Sequence, residues 1–228
     1  MVANLKEPRD IVSCSKNNCL YLIDGKPFGQ PMEILRIDVN GNILKKIWRG
    51  NDWGRLSVSD EANLILAVLD KSKLLEITPD GQLVREITLT ASKPWHAAKL
   101  TGDCFVVAYN DKRFKEGRIC IVDNTGKLVI SPVYDRPTRS QFLPINVVVN
   151  RDGSLLAVNE TNGEILLLSS NLEFQRKLIS RRHGLRHPRR VFVDELNDRL
   201  LVCDNLGNGG CILVFNISDL EKHGLFNH

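Results

Sequence analysis

The feature that most constrains the fold of this chain is a repeat of short apolar runs with a period in the forties. Five segments begin with a proline, or with a residue in its place, at Pro8, Trp53, Pro94, Pro144 and Pro188. A polar residue follows two positions later, and an apolar run comes next. Each unit then has a turn and a second apolar run ending in an acid, followed by a third apolar run. A more polar fourth run completes the unit, so one unit is predicted to be four short strands.

Short strands at this regular spacing predict an all-β fold, because helical periodicity is absent apart from a weak pattern at 220–226. A period of about forty to fifty residues is typical of a β-propeller, in which each unit is one four-stranded antiparallel blade. A single sheet cannot cover its own apolar faces, but stacked blades bury both. We predict one domain over residues 1–228, with blades at roughly 5–48, 49–90, 91–134, 140–180 and 184–226.

The fifth unit, LRHPRRVFVDELNDRLLVCDNLGNGGCILVF, resembles an NHL repeat in its proline, its first strand and the LLVCDN that closes the second. The other four units are weaker versions of the same pattern, so the resemblance covers the chain from about residue 5 to about 217. It implies a propeller similar to the C-terminal propeller of TRIM-NHL proteins, which usually has six blades. Five visible units favour an incomplete or atypical six-bladed propeller. No RING, B-box or coiled-coil segment precedes the repeats, so we expect the ubiquitin-ligase part to be absent.

Composition is consistent with a cytoplasmic protein. The net charge is a mild +4, and no apolar stretch approaches the length of a membrane span. The N-terminus has no apolar h-region of a signal peptide. The six cysteines include no CxxC pair and are expected to be reduced, although Cys14 with Cys19 and Cys203 with Cys211 could be cross-strand neighbours.

Charge is predicted to be unevenly distributed, because the connections between blades open on one face of a propeller. These connections are rich in arginine and tryptophan, whereas the hairpin turns of the opposite face are acidic. The candidate partner-binding or RNA-binding face consists of Arg49, Trp53, Arg55, Trp95, Arg136, Arg139, Arg181, Arg182, Arg186, Arg189 and Arg190.

Three interpretations of this basic face are open. Arginines among aromatic residues suit single-stranded RNA, because guanidinium groups pair with phosphates and rings stack on unpaired bases. The NHL resemblance implies the same, since that family includes RNA binders. A protein partner with an acidic or phosphorylated segment fits the face at least as well, and loop arginines can also be simply solvated. Unpaired blade edges would in addition allow self-association.

The polar residues that follow the proline positions are predicted to lie at the mouth of a central channel. They are Asp10, Arg55, His96, Asn146 and Arg190. The favoured interpretation is structural, with hydrogen bonds to water and neighbouring loops. The alternative is a metal-dependent lactonase-like or hydrolase-like site, in which Asp10, Asn146 and Glu160 supply oxygen ligands. The two arginines oppose a cation there, so we expect no metal, no cofactor and no enzymatic activity.

Overall fold

The computed structural model describes residues 5–25, 31–51, 53–69, 71–90, 93–111, 116–131, 142–205 and 209–222. Within these ranges, nineteen strands form five antiparallel sheets, and strands that follow one another in the chain are hydrogen-bonded neighbours. Four of these sheets have four strands and the last has three. The sheets are the blades of a β-propeller, so the predicted all-β class and blade architecture are confirmed.

The strands of each blade follow in chain order. Blade 1 contains β1 (Pro8–Cys14), β2 (Cys19–Asp24), β3 (Met32–Ile37) and β4 (Ile43–Gly50). Blade 2 contains β5 (Gly54–Val58), β6 (Leu64–Val68), β7 (Lys73–Ile77) and β8 (Leu83–Thr88). Blade 3 contains β9 (Pro94–Lys99), β10 (Phe105–Asp111), β11 (Glu116–Val122) and β12 (Leu128–Ile130). Blade 4 contains β13 (Pro144–Val149), β14 (Leu155–Asn159), β15 (Glu164–Leu168) and β16 (Phe174–Ile179). Blade 5 contains β17 (Pro188–Asp194), β18 (Arg199–Asn205) and β19 (Gly210–Asn216).

Several residues expected in inter-blade connections lie inside strands. Arg49 belongs to β4, because the ladder with β3 continues to its end and pairs Arg49 with Glu33. Arg55 and Trp95 lie in the first strands of blades 2 and 3, and Arg189 and Arg190 lie in that of blade 5. These residues therefore belong to strands and not to the connections between blades.

The single α-helix among the described residues is α1 (Ile217–Lys222), which starts before the weak helical pattern at 220–226. No helix in the described ranges is long and apolar enough to cross a membrane. All six cysteines are free thiols. Cys14 and Cys19 are direct cross-strand partners, whereas Cys203 lies opposite Ile212.

The chain divides into two compact units, Met1–Val107 with Ile121–Val129 and Ala108–Cys120 with Ile130–His228. In the first unit, one apolar cluster joins blades 1 and 2 and includes the fully buried Tyr21, Ile34 and Leu66. All five residues of β6 are buried, and all five of β14 are buried in the second unit. Full burial of one such aliphatic side chain is worth about 1.5–3 kcal/mol, so contact between blades is a main source of stability.

The turn between the third and fourth strands also joins blades. A Cβ atom added at Gly81, which has a φ of +93°, would lie 1.6 Å from the carbonyl oxygen of Ile47 in blade 1. A Cβ atom added at Gly126 would lie 1.9 Å from the carbonyl oxygen of Thr88 in blade 2. Glycine recurs at this position because the turn of one blade lies against the backbone of the preceding blade.

Candidate functional site

In blades 1, 4 and 5, the first strand has an irregularity just before the polar residue that follows the proline. The register against the second strand shifts between Pro8 and Asp10 in β1, and the equivalent shifts occur in β13 and β17. Such a bulge turns the side chains that follow it. Asp10, His96 and Asn146 are all buried, with at most 8% of the residue exposed. They therefore lie within the packing of the blades.

In the first unit, these side chains hold the first strands of three blades together. The Oδ2 atom of Asp10 accepts the N–H of Leu56 at 2.8 Å, and His96 Nε2 lies 3.2 Å from the carbonyl oxygen of Leu56. Arg55 Nη1 lies 4.0 Å from Asp10 Oδ1. Both backbone polar groups of Leu56 are thus occupied by side chains from neighbouring blades.

The ionisation of His96 is set by its surroundings. Burial lowers the pKa of His96 to about 4, and the neighbouring charge of Arg55 contributes to the lowering. The ring is therefore neutral at pH 7. Because a carbonyl oxygen can only accept a hydrogen bond, Nε2 must carry the proton that is donated to Leu56.

In the second unit, Asn146 makes the equivalent connection. Its Oδ1 atom accepts the N–H of Val191 at 3.1 Å and so links β13 to β17. Burial lowers the pKa of Arg190 to about 10, which leaves the guanidinium charged at neutral pH. The candidate channel-mouth residues thus form two groups that connect blades, one described within each unit.

The oxygens that a metal-dependent hydrolase would use at this position have other partners. Asp10 and Asn146 accept backbone N–H groups, and Glu160 Oε1 lies 2.7 Å from Arg189 Nη1. Among the residues that the structure describes, no three His, Cys, Asp or Glu side chains are grouped as metal ligands would be. The arrangement fits inter-blade hydrogen bonding better than cation coordination.

The most basic part of the predicted face is the segment 181–187, which we call the basic loop. It begins with a single 3-10 turn over Arg181–His183, where His183 Nδ1 accepts the N–H of Ser180 at 3.1 Å. Gly184 ends the turn in the left-handed conformation, with a φ of 91°. Leu185 is 1% exposed and anchors the middle of the loop.

The far end of the basic loop is held by the carboxylate of Asp204. This group accepts the N–H of Arg186 at 3.0 Å and the N–H of His187 at 2.7 Å. Asp204 is itself buried at the end of the second strand of blade 5. The loop therefore has a defined backbone at both ends, although all of its side chains except Leu185 are exposed.

Arg181 of this loop and Arg189, two residues after it, are already bound within the protein. Arg181 donates from Nε to the carbonyl oxygen of Asn162 and from Nη2 to that of Thr161, both at 3.1 Å. Arg189 forms the ion pair with Glu160. These two side chains connect blade 5 to the β14–β15 turn and have less capacity for a ligand.

Arg182 and Arg186 are different, because both are exposed. Within the described part of the chain, neither side chain makes a hydrogen bond or an ion pair. A concave pocket of about 510 Å³ lies at the same place and is lined by Arg181, Gly184, Leu185, Arg186 and His187. The basic loop thus combines a fixed backbone, a depression and guanidinium groups that are available to an anion.

Of the remaining face residues, Arg49, Trp53 and Trp95 are not among those that line this pocket. Trp53 and Trp95 are half-buried in the first unit, where Trp53 packs against the core cluster of blades 1 and 2. Arg49 is exposed on β4 of the same unit. Arg136 and Arg139 lie outside the described residues.

The sequence analysis noted the acid that ends each second apolar run, and gave a role only to Glu160, as a possible metal ligand. Asp24 accepts the N–H of Glu7 at 2.7 Å and that of Lys6 at 3.0 Å. Asn159 Oδ1 accepts the N–H of Leu143 at 3.2 Å, and Asp204 binds the basic loop in the same way. The recurrence of Asp or Asn at this position was the signal that could have identified these residues as anchors of the segment preceding each first strand.

Comparison with known proteins shows the fold alone. Neither a protein-family model nor a curated protein sequence matches the chain. A structure of a nidogen/laminin complex matches with 12% identity over 93% of this chain and 77% of that chain, at a TM-score of 0.68. The WD40 propeller domain of Doa1 matches with 14% identity over 92% and 68%, at a TM-score of 0.58. Virginiamycin B lyase from Staphylococcus aureus matches with 17% identity over 92% and 70%, at a TM-score of 0.56.

These similarities, together with the five sheets, define the protein as a β-propeller. The structures that share the fold include both a lyase and a WD40 domain, so the fold is compatible with enzymes and with binding modules. The narrower assignment to the NHL type stays a prediction from the sequence.

Proposed function

We propose that the chain is an NHL-type propeller that acts in the cytoplasm as a non-enzymatic binding platform, and that its basic loop binds an acidic segment of a partner protein. One observation carries this proposal. Arg182 and Arg186 are exposed and without partners in the described structure, on a loop whose backbone is held by Ser180, Leu185 and Asp204.

A fixed loop matters because ordering a flexible one would subtract from the binding free energy. Guanidinium groups favour carboxylates and phosphates, which they can bind through two parallel hydrogen bonds. A single exposed ion pair is worth only about 0–1 kcal/mol, so recognition requires several contacts. The pocket beside Arg186 and His187 offers a concave surface where such contacts can be combined.

The described residues favour recognition of charge over stacking on bases. Trp53 and Trp95, which would stack on RNA, are half-buried. The basic loop itself contains no Trp, Tyr or Phe. An acidic or phosphorylated protein segment needs only the guanidinium groups, whereas single-stranded RNA is bound mainly by charge together with stacking.

The proposal is tested by fluorescence anisotropy with two labelled probes, an octaglutamate peptide and a pool of single-stranded RNA, with octaglutamine as the neutral control. We expect saturable binding of octaglutamate at low salt that weakens at about 0.15 M salt, because exposed charges are screened. We expect weaker binding of RNA and none of octaglutamine. Tighter binding of RNA would contradict the proposed partner class, and absence of binding to both anions would contradict the platform.

A further inference from the structure

A second concave site lies at the other end of the strands from the basic loop. It is a cleft of about 360 Å³ between blades 4 and 5, beside the β13–β14 turn and the segment after β17. Leu156 and Leu200, each 2% exposed, form its floor. Half-buried aliphatic side chains from both blades, including Leu167, Leu178 and Val193, line it further. We call it the blade 4–5 cleft.

The equivalent groove between blades 2 and 3 is filled by charged residues. In blade 2, the cross-strand register places Glu76 opposite Arg85, and Glu76 Oε2 lies 2.8 Å from Arg85 Nε. Lys99 Nζ from blade 3 lies 3.1 Å from Glu76 Oε1. The buried carboxylate of Glu76 thus forms ion pairs with cations of both blades.

The same positions in blades 4 and 5 carry aliphatic residues. Leu167 lies opposite Arg176, as Glu76 lies opposite Arg85. Val193 comes five residues after Pro188, as Lys99 comes five residues after Pro94, so the two residues are at equivalent positions of the first strand. The ion-pair network that fills the first groove is therefore replaced by an open apolar cleft with an arginine at its edge.

Two buried polar atoms in this cleft lack partners within the described part of the chain. They are Arg176 Nε, a donor on the outer strand, and Asn150 Oδ1, an acceptor beside the inner strand. A buried polar atom without a hydrogen bond costs about 1–3 kcal/mol, so such atoms call for a ligand or water. Three strand spacings separate the inner from the outer strand, which is about 14 Å.

We propose that the blade 4–5 cleft binds an extended aliphatic peptide segment of a partner protein. A backbone carbonyl of the peptide accepts from Arg176 Nε, a backbone N–H donates to Asn150 Oδ1, and aliphatic side chains lie against Leu156, Leu167 and Leu200. An extended chain advances about 3.3 Å per residue, so about four residues extend over the distance from the inner to the outer strand. The site is independent of the basic loop.

A peptide fits these observations better than a fatty acid does. A fatty carboxylate could reach Arg176 and fill the aliphatic cleft, but it has no donor for Asn150 Oδ1. The rim carries charges of both signs, including the ion pair of Arg151 with Glu195 and the carboxylate of Asp152. A neutral peptide backbone, which offers a donor and an acceptor in every residue, complements such a mixed rim.

The proposal is tested by methyl NMR of the protein with a pool of acetylated, amidated tetrapeptides of Ala, Val, Leu and Ile, and with decanoate as a second probe. We expect saturable shifts of the Leu156, Leu167, Leu178 and Val193 methyl groups by peptide. Leu167→Glu recreates the Glu76–Arg85 arrangement and should weaken binding at least about tenfold, because the new carboxylate pairs with Arg176. Arg176→Met removes the donor but keeps the aliphatic volume, and should also weaken binding about tenfold or more.

Arg182→Glu on the basic loop is the control and should leave peptide binding at the cleft unchanged. Unfolding by urea checks that each variant is folded. Absence of saturable methyl shifts at about 1 mM peptide would overturn the proposal. So would binding that survives both Leu167→Glu and Arg176→Met, or saturable binding of decanoate without binding of peptide.

Discussion

At the scale of single residues, the buried polar side chains at the start of the first strands act as connections between blades. Asp10 accepts the N–H of Leu56, and His96 donates to the carbonyl oxygen of Leu56. Asn146 accepts the N–H of Val191. A buried donor or acceptor that loses its partner costs about 1–3 kcal/mol. These residues therefore contribute to folding, and among them His96 gives a contribution that depends on pH.

The free energy of unfolding should decrease as the pH is lowered, because His96 is buried in its neutral form. Its pKa is lowered from 6.5 to about 4 in the folded protein, so the unfolded state binds the proton more tightly between these values. This contribution is present above pH 6.5 and is lost as the pH falls. Between pH 7.5 and pH 5 we expect wild type to lose about 2 kcal/mol more than His96→Gln, which keeps a donor for Leu56 but does not titrate.

Urea unfolding at the two pH values measures this difference. The comparison uses the change with pH within each protein, so any constant cost of the substitution cancels. An equal loss of stability in wild type and His96→Gln would show that His96 is not buried in its neutral form.

At the scale of elements, turns and loops are held by interactions with other elements, and two of these can be tested with matched controls. The turn at Gly81 lies against the backbone of β4, whereas a Cβ atom at Gly184 would meet no atom within 4 Å. Both glycines have a positive φ, of +93° and +91°. They therefore share the backbone cost of a side chain and differ in the contact with a neighbouring blade.

We expect Gly81→Ala to destabilise the protein by at least about 2 kcal/mol more than Gly184→Ala. The left-handed conformation costs alanine about 1–2 kcal/mol at either position, but the contact with Ile47 also forces the backbone to move. Thermal or urea unfolding of the two variants gives the difference. Similar losses would show that the turn does not pack against blade 1 as described.

The second element-scale prediction concerns the carboxylate that holds the basic loop. Asp204→Ala leaves the N–H groups of Arg186 and His187 without this acceptor, so we expect a loss of about 2–4 kcal/mol in unfolding free energy and weaker binding of octaglutamate. Asp24→Ala is the control, because Asp24 accepts two N–H groups in the same way in blade 1. It should cost similar stability and leave octaglutamate binding unchanged. Equal effects of both variants on binding would contradict the role of the basic loop.

At the scale of the whole molecule, the repeat was sufficient to predict the blades. Each unit begins at a proline position and contains strands whose apolar residues need cover on both faces, and only stacked sheets provide it. The ends of the strands were predicted less well, because Arg49 and Trp95 were assigned to connections between blades and lie in β4 and β9. The end of a strand depends on how far its hydrogen bonds with the neighbouring strand continue, as they do in β4 up to Gly50. The sequence of one strand alone does not show this.

The state of each arginine could not be predicted from the sequence. Arg181 and Arg182 are neighbours in the chain, yet Arg181 is bound to the backbone of Thr161 and Asn162 while Arg182 is exposed without a partner in the described structure. The difference depends on a turn of the preceding blade about twenty residues away. The blade 4–5 cleft was missed for a related reason, because the Leu167–Arg176 pairing follows from cross-strand register.

The central claim is that Arg182 and Arg186 form the anion-binding part of the basic loop. The most direct measurement is the affinity for labelled octaglutamate, by anisotropy at low salt, of wild type, of Arg182→Glu with Arg186→Glu, and of a control with Lys16→Glu and Lys127→Glu. The control makes the same change in net charge at two exposed lysines in hairpin turns. We predict at least about a tenfold loss of affinity in the arginine variant and little change in the control. An equal loss in both would mean that only the net charge attracts the peptide, and would contradict a defined site on the basic loop.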